Sequence, residues 1–107
     1  MEVLGNTADP AVHMRIQYCG GWGYRPKCIQ VIEMIEADTP NKFQYHLLKD
    51  EGKTGNFECL VSKTADFSGE TTDIFSKQKA GKFPHADEDS FAAFLEAAKK
   101  CFWVILS

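Results

Sequence analysis

A chain of 107 residues with 44% hydrophobic composition is long enough to bury one core without metal or disulfide staples. Its 12 Lys and Arg against 15 Asp and Glu give a formal net charge of -3, and the two signs are mixed along the chain, which excludes the basic footprint of a nucleic-acid binder. No run of about 18 apolar residues is available to span a bilayer, and the first dozen residues contain no cation, so neither a membrane anchor nor a secretory signal is expected.

Residues 1–11 mix Gly5, Asn6, Asp9 and Pro10 without periodicity and read as a flexible leader. A single domain over residues 12–103 follows. Met14, Ile16 and Tyr18 alternate with Arg15 and Gln17, the period of a half-buried strand. After Pro26, which suits the first helical position, Cys28, Val31, Ile32 and Ile35 recur at helical spacing opposite Gln30, Glu33 and Glu36. That helix should end near Asp38, ahead of Pro40. Residues 42–48, with Phe43, Tyr45 and Leu47 alternating, read as a second strand, residues 56–61 as a third and residues 72–77 as a fourth. A long turn around Ser68 and Gly69 joins the last two. A final helix begins at an N-cap candidate, Asp87, with an acidic first turn. Phe91, Phe94, Leu95, Ala98 and Phe102 form its apolar stripe, and residues 104–107 are an apolar tail.

The order β-α-β-β-β-α predicts an α/β two-layer sandwich with a mixed four-stranded sheet, the first crossover joining two parallel strands. The loop after the first strand then lies at a strand carboxyl end, where open α/β sheets tend to form sites.

That loop, "YCGGWGYRPKC" from Tyr18 to Cys28, carries the chemistry. Cys19 is flanked by Gly20, Gly21 and Gly23, which permit close approach of another backbone, such as a substrate disulfide or a glutathione peptide. A nucleophilic thiol needs a lowered pKa, and the candidates to lower it are the helix N-terminus, Arg25 and Lys27. Spacing alone leaves open whether Cys19 is reactive or an ordinary small residue, because Trp22 stands where a Cys-x-x-Cys motif has its second thiol. Cys28 and Cys59 lie on apolar faces and read as core, while Cys101 is the candidate for incidental disulfides. The four cysteines are too few and too scattered for a secreted disulfide framework, which favours a reducing, cytoplasmic setting. His13, His46 and His85 are isolated from one another, and no metal site is expected. Cys101 is seventh from the end, not fourth as prenylation requires.

The same loop resembles the active-site segment of the selenoprotein W or Rdx family of small thioredoxin-like proteins, whose pattern is Cys-x-x-selenocysteine or Cys-x-x-Cys followed by Gly-Tyr. Three further stretches fall in the family's order: "TGNFECLV" from Thr54, "DIFSKQKAGKFP" from Asp73 and "FAAFLEAAKK" from Phe91. The resemblance implies a thioredoxin-like fold and a thiol or selenol oxidoreductase role in cell redox homeostasis, linked to glutathione as co-substrate. It implies no bound cofactor and, in some members, binding to 14-3-3 proteins. Carried onto this chain, Cys19 is the reactive thiol and Trp22 occupies the selenocysteine or second-Cys position. Selenocysteine is encoded by UGA, a codon read as Trp in some genetic codes. Thioredoxins place a cis-proline before the third strand, and Thr54 with Gly55 holds that place here. Candidate substrate-binding residues are therefore Gly20, Gly21, Gly23, Tyr24, Thr54, Gly55 and Phe57. The segment at 62–72 is longer than in typical members. The competing expectation is a non-catalytic binding module with an apolar patch of Trp22 and Phe57, and a third is a structural relic with an inert Cys19.

Overall fold

The structure, a computed structural model, describes residues 2–5 and 12–106, with side chains as far as residue 100. The elements are β1 (Glu2–Gly5), β2 (Val12–Tyr18), α1 (Tyr24–Asp38), β3 (Phe43–Lys49), β4 (Phe57–Ser62), β5 (Thr71–Ser76), α2 (Lys77–Ala80) and α3 (Glu88–Leu106). They build one mixed sheet in the order β1-β3-β2-β4-β5. β2 and β3 are parallel across the α1 crossover, and every other pairing is antiparallel.

Side chains alternate across the sheet with the strand period of two. Val12, Met14, Ile16 and Tyr18 of β2, Phe43, Tyr45 and Leu47 of β3, and Phe57, Cys59 and Val61 of β4 are all buried. They pack with Tyr24, Cys28, Val31, Ile32 and Ile35 of α1 and with Phe94 and Ala98 of α3. Both long helices thus cover one face of the sheet. Each large apolar side chain buried there stabilises the fold by about 1.5–3 kcal/mol before conformational entropy is set against it.

Three expectations need correction. The sheet has five strands rather than four, because Glu2–Gly5 inside the supposed leader pairs antiparallel with β3. That strand is held by a bidentate Arg25–Glu2 ion pair, with Arg25 Nε 3.1 Å from Glu2 Oε1 and Nη2 2.5 Å from Oε2. α1 starts at Tyr24, not at Pro26, with Gly23 in the left-handed region (φ 67) as its N-cap. Pro26 still falls in the first turn, where N–H groups have no intrahelical acceptor. His13 and His46 are not isolated: His13 Nδ1 lies 3.0 Å from His46 Nε2 in a buried pair.

That pair sits on the sheet face opposite the helices, together with Arg15. The long β4–β5 turn folds back over it. The Phe67 ring meets His46 edge-on at 5.1 Å, and the Arg15 guanidinium stands 5.8 Å from the centre of the same ring. α3 is capped as the sequence suggests, Asp87 Oδ1 accepting from the Ser90 N–H at 2.7 Å. Its backbone stays helical through residue 106. The side chains of Cys101, Phe102 and the apolar tail lie outside the described residues. Among the residues searched, no helix is long and apolar enough to cross a membrane.

Candidate functional site

Cys19 follows the last residue of β2, and its backbone is fixed on both sides. Its N–H donates to Asn56 O and the next N–H, of Gly20, donates to Gly52 O, both at 2.9 Å. The loop 50–56 therefore lies directly on the thiol loop. A Cβ on Gly20 would stand 2.1 Å from Asp50 O and 2.9 Å from Gly52 O, so only glycine allows the two backbones this close.

The upper loop is braced from within. Asp50 accepts from Gln17 Nε2 at 2.7 Å, from Thr54 Oγ1 at 2.6 Å and from Asn56 Nδ2 at 2.8 Å. Burial acts to raise the Asp50 pKa, but these donors outweigh it and hold the carboxyl below its usual range. Gln78 of α2 adds a strut, donating to Thr54 O at 3.2 Å and Asn56 Oδ1 at 3.0 Å.

Under this loop the Cys19 side chain is 1% exposed. The Gly21 N–H points at its Sγ at 3.4 Å, and the sulfur lies 3.9 Å from Gly52 O. Burial acts to raise the thiol pKa. Hydrogen bonds from the Gly55, Gly21 and Thr54 backbone overcome it, so the pKa falls below that of a free thiol. The expected agents were different. Arg25 is occupied by Glu2, and neither it nor Lys27 contributes to the shift.

Cys28 and Cys59, the other thiols among the described side chains, behave as packing groups. Cys28 is fully buried and burial pushes it up to about 12, while burial drives Cys59 well above its ordinary value. Neither has donors that favour the thiolate enough to offset desolvation.

Of the other candidates, Gly20, Gly21, Thr54 and Gly55 converge on Cys19, whereas Phe57 does not reach the surface. It is 0% exposed and packs edge-on against Phe75 and Phe83 at 6.4 and 5.4 Å. An exposed patch of Trp22 and Phe57 is therefore not formed. Trp22 is 65% exposed, in the left-handed region at φ 58. Its neighbours are Tyr24, ring centres 6.5 Å apart, and Lys53, whose Nζ stands 5.8 Å over the indole. Tyr24 is itself buried against Phe83 at 5.0 Å. The Asp50 brace, Gln78 and Lys53 escaped the sequence reading, because only folding brings them beside Cys19. Among the described residues no group of three His, Cys, Asp or Glu is placed to hold a metal ion.

The thiol with its backbone donors thus stands at the carboxyl end of the strand that feeds the crossover helix. The Rdx family model matches residues 13–89. The chain belongs to the Rdx family. Selenoprotein W of Danio rerio is 35% identical over 51 residues, which cover 48% of this chain and 59% of that protein. The chain thus aligns with less than two thirds of that relative's length. A selenoprotein W-related protein from Vibrio cholerae has the same fold, with a TM-score of 0.61 at 14% identity over 85% of this chain and 96% of the other. The Rdx assignment places the matched segment across the thiol loop, its covering loop and the first turn of α3. β1 and most of α3 lie outside it.

Proposed function

We propose that this Rdx protein is a thiol oxidoreductase whose reactive group is Cys19, with position 22 as the second redox position and glutathione as co-substrate. The observation that carries the reading is the set of donors from Gly21, Thr54 and Gly55 around the Cys19 sulfur, which favours the thiolate, the nucleophilic form. In the Trp22 chain the cycle is monothiol. The Cys19 thiolate attacks one sulfur of a disulfide, the S–S bond breaks, and the other half leaves as a thiolate that takes a proton from water. A glutathione thiolate then attacks the mixed disulfide and releases Cys19. That attack leaves the substrate half joined to glutathione as a mixed disulfide; a second glutathione thiolate releases it as a thiol and forms glutathione disulfide, so the substrate disulfide gains two electrons from two glutathione thiols. Where position 22 is selenocysteine, its selenol is ionised at neutral pH and attacks first, with Cys19 resolving.

The left-handed, exposed indole supports position 22 as a redox position, since no core surrounds the ring to select Trp. A TGA codon for residue 22 fits this reading and TGG opposes it. The proposed setting is the reducing cytoplasm.

The test is the pH dependence of Cys19 alkylation, with Cys28, Cys59 and Cys101 changed to Ser, in the Trp22 protein and in Trp22→Cys. Cys19 should titrate below a free thiol, and Trp22→Cys should form a disulfide with Cys19 that glutathione reduces. An ordinary thiol titration with no disulfide would sink the reading. Exposure of Trp22 favours a second one, a binding module for partners such as 14-3-3 proteins, which capture surviving Cys19→Ser would support.

A further inference from the structure

The rim of the thiol loop holds a pattern that disulfide exchange by itself does not use. Trp22, Tyr24 and Phe83 form a row of rings with centres 6.5 and 5.0 Å apart. Ammonium groups stand over each ring: Lys53 Nζ at 5.8 Å from Trp22, Lys77 Nζ at 5.6 Å from Tyr24 and 5.4 Å from Phe83, and Lys27 Nζ at 5.8 Å from Phe83. Each contact is within cation–π range, which restrains a long side chain while leaving its donors available. Lys53 is also tied to the thiol loop, since a Cβ on Gly21 would lie 2.7 Å from its Cγ.

These lysines are not neutralised. Among the described residues the ion pairs are Arg25–Glu2, Lys82–Asp87 and Lys99–Asp38, and none includes Lys27, Lys53 or Lys77. The nearby carboxylates have other donors. Asp50 takes Gln17, Thr54 and Asn56, and Glu58 takes the Ser76 hydroxyl and the Lys77 N–H. Glu51, exposed in the loop that carries Lys53, is the opposing charge. In a chain with net charge -3, three ammonium groups outside any ion pair thus stand along the ring row that starts in the thiol loop.

The geometry points to selection of anionic disulfides: Lys27, Lys53 and Lys77 receive carboxylates flanking the S–S bond that Cys19 opens, and the exposed Trp22 ring takes the substrate's carbon skeleton. This rests on the thiol-exchange reading. The exchange itself is unchanged. The Cys19–S bond forms as the substrate S–S bond breaks, the departing thiolate is protonated by water, and the carboxylates stay ionised throughout. Charges so placed raise the encounter rate of anions and lower that of cations, and salt weakens both effects.

The experiment follows mixed-disulfide formation at the Cys19 peptide by mass spectrometry, using the unaltered chain. The probes are dithiodiglycolate as anion, 2-hydroxyethyl disulfide as neutral reagent and cystamine as cation. Each rate is divided by that of free cysteine with the same probe. The normalised order should be anion, neutral, cation. Lys27→Gln/Lys53→Gln/Lys77→Gln, or high salt, should lower the anion-to-neutral ratio by about threefold to tenfold. Lys53→Arg should keep the ratio, and Glu51→Gln should raise it. If the neutral probe reacts normally and the ratio is the same with and without the lysines, the inference falls and the thiol reading stands. If no probe reacts faster than with free cysteine, both fall together.

Discussion

Cys19 and Cys28 stand nine residues apart and are equally hidden, at 1% and 0% exposure, yet their thiols are pushed in opposite directions. Cys28 faces the sheet from α1 among Val31, Ile32, Met14 and other apolar groups of the core, and burial drives it up to about 12. Cys19 lies where two loops cross, and its burial is built from peptide groups whose N–H donors face the sulfur. Desolvation opposes ionisation at both sites. What separates them is whether the covering material can hydrogen-bond a thiolate. Burial alone therefore does not identify a structural cysteine.

The most severe way to break the contrast is to push the two loops apart. Gly20→Ala places a Cβ 2.1 Å from Asp50 O, a backbone atom that cannot step aside without carrying Gly52, Thr54 and Gly55 with it. A loss of about 3 kcal/mol is expected, with Cys19 alkylation shifting toward the pH of an ordinary thiol as its donors retreat. Gly23→Ala is the control. It meets nothing within 4 Å but must hold φ 67, which costs about 1 kcal/mol and leaves the donors in place. Urea denaturation together with the alkylation profile checks both. If Gly20→Ala leaves the Cys19 titration unmoved, the loop contact is not what sets it.

The strands and helices facing the core were legible because each carries its period through to burial: Met14, Ile16 and Tyr18 on β2, and Phe91, Phe94, Leu95 and Ala98 behind the Asp87 cap on α3. β1 was not, since Glu2–Gly5 has no alternation and is placed by pairing with β3. The same non-local pairing misdirected the reading of Arg25, which looked free to act on Cys19 until Glu2 folded beside it. His13 and His46 lie far apart in the chain and meet only through the parallel register of β2 and β3. At the site, the glycines announced close backbone approach, and family resemblance picked out Thr54 and Gly55. Neither pointed to Asp50, whose role depends on Gln17 reaching it across the sheet from β2.

A smaller effect tests the Cys28 side of the contrast through pH. Its pKa in the folded protein is raised above that of the unfolded chain, so the folded state keeps a proton that the unfolded state releases. Stability is therefore complete below about pH 9, the ordinary thiol value, and declines as pH rises from there toward about 12. Cys59 shifts the same way. The slope approaches 1.4 kcal/mol per pH unit for each such thiol, as an upper limit. Urea midpoints at pH 8 and pH 10 should converge in Cys28→Ala relative to the unaltered protein by about 1 kcal/mol, whatever the cost of the cavity. Cys19→Ala should not reduce the alkaline decline, because its pKa is shifted downward. If the two variants share one slope, their environments are not opposed as described.

The finest division lies within the donors of Cys19. Gly55, Gly21 and Thr54 act through backbone N–H groups that no substitution removes while the loop keeps its course, whereas the Thr54 hydroxyl gives its one proton to Asp50 and reaches the thiol only by bracing that loop. Thr54→Val keeps the shape and the backbone donors but removes the hydroxyl. It also removes the 2.6 Å hydrogen bond to Asp50 and leaves the Asn56 N–H without its 3.3 Å acceptor. The Asp50 carboxylate retains Gln17 and Asn56, so the loop should hold. Alkylation of Cys19 at neutral pH is expected to slow by about twofold, with stability lower by about 1 kcal/mol. Thr54→Ser, which restores the hydroxyl, should recover the rate. A collapse of reactivity in Thr54→Val with recovery in Thr54→Ser would mean that the hydroxyl, rather than the peptide backbone, holds the thiolate. The sequence would then carry the chemistry in a side chain, where substitution can remove it, and not in the path of the covering loop.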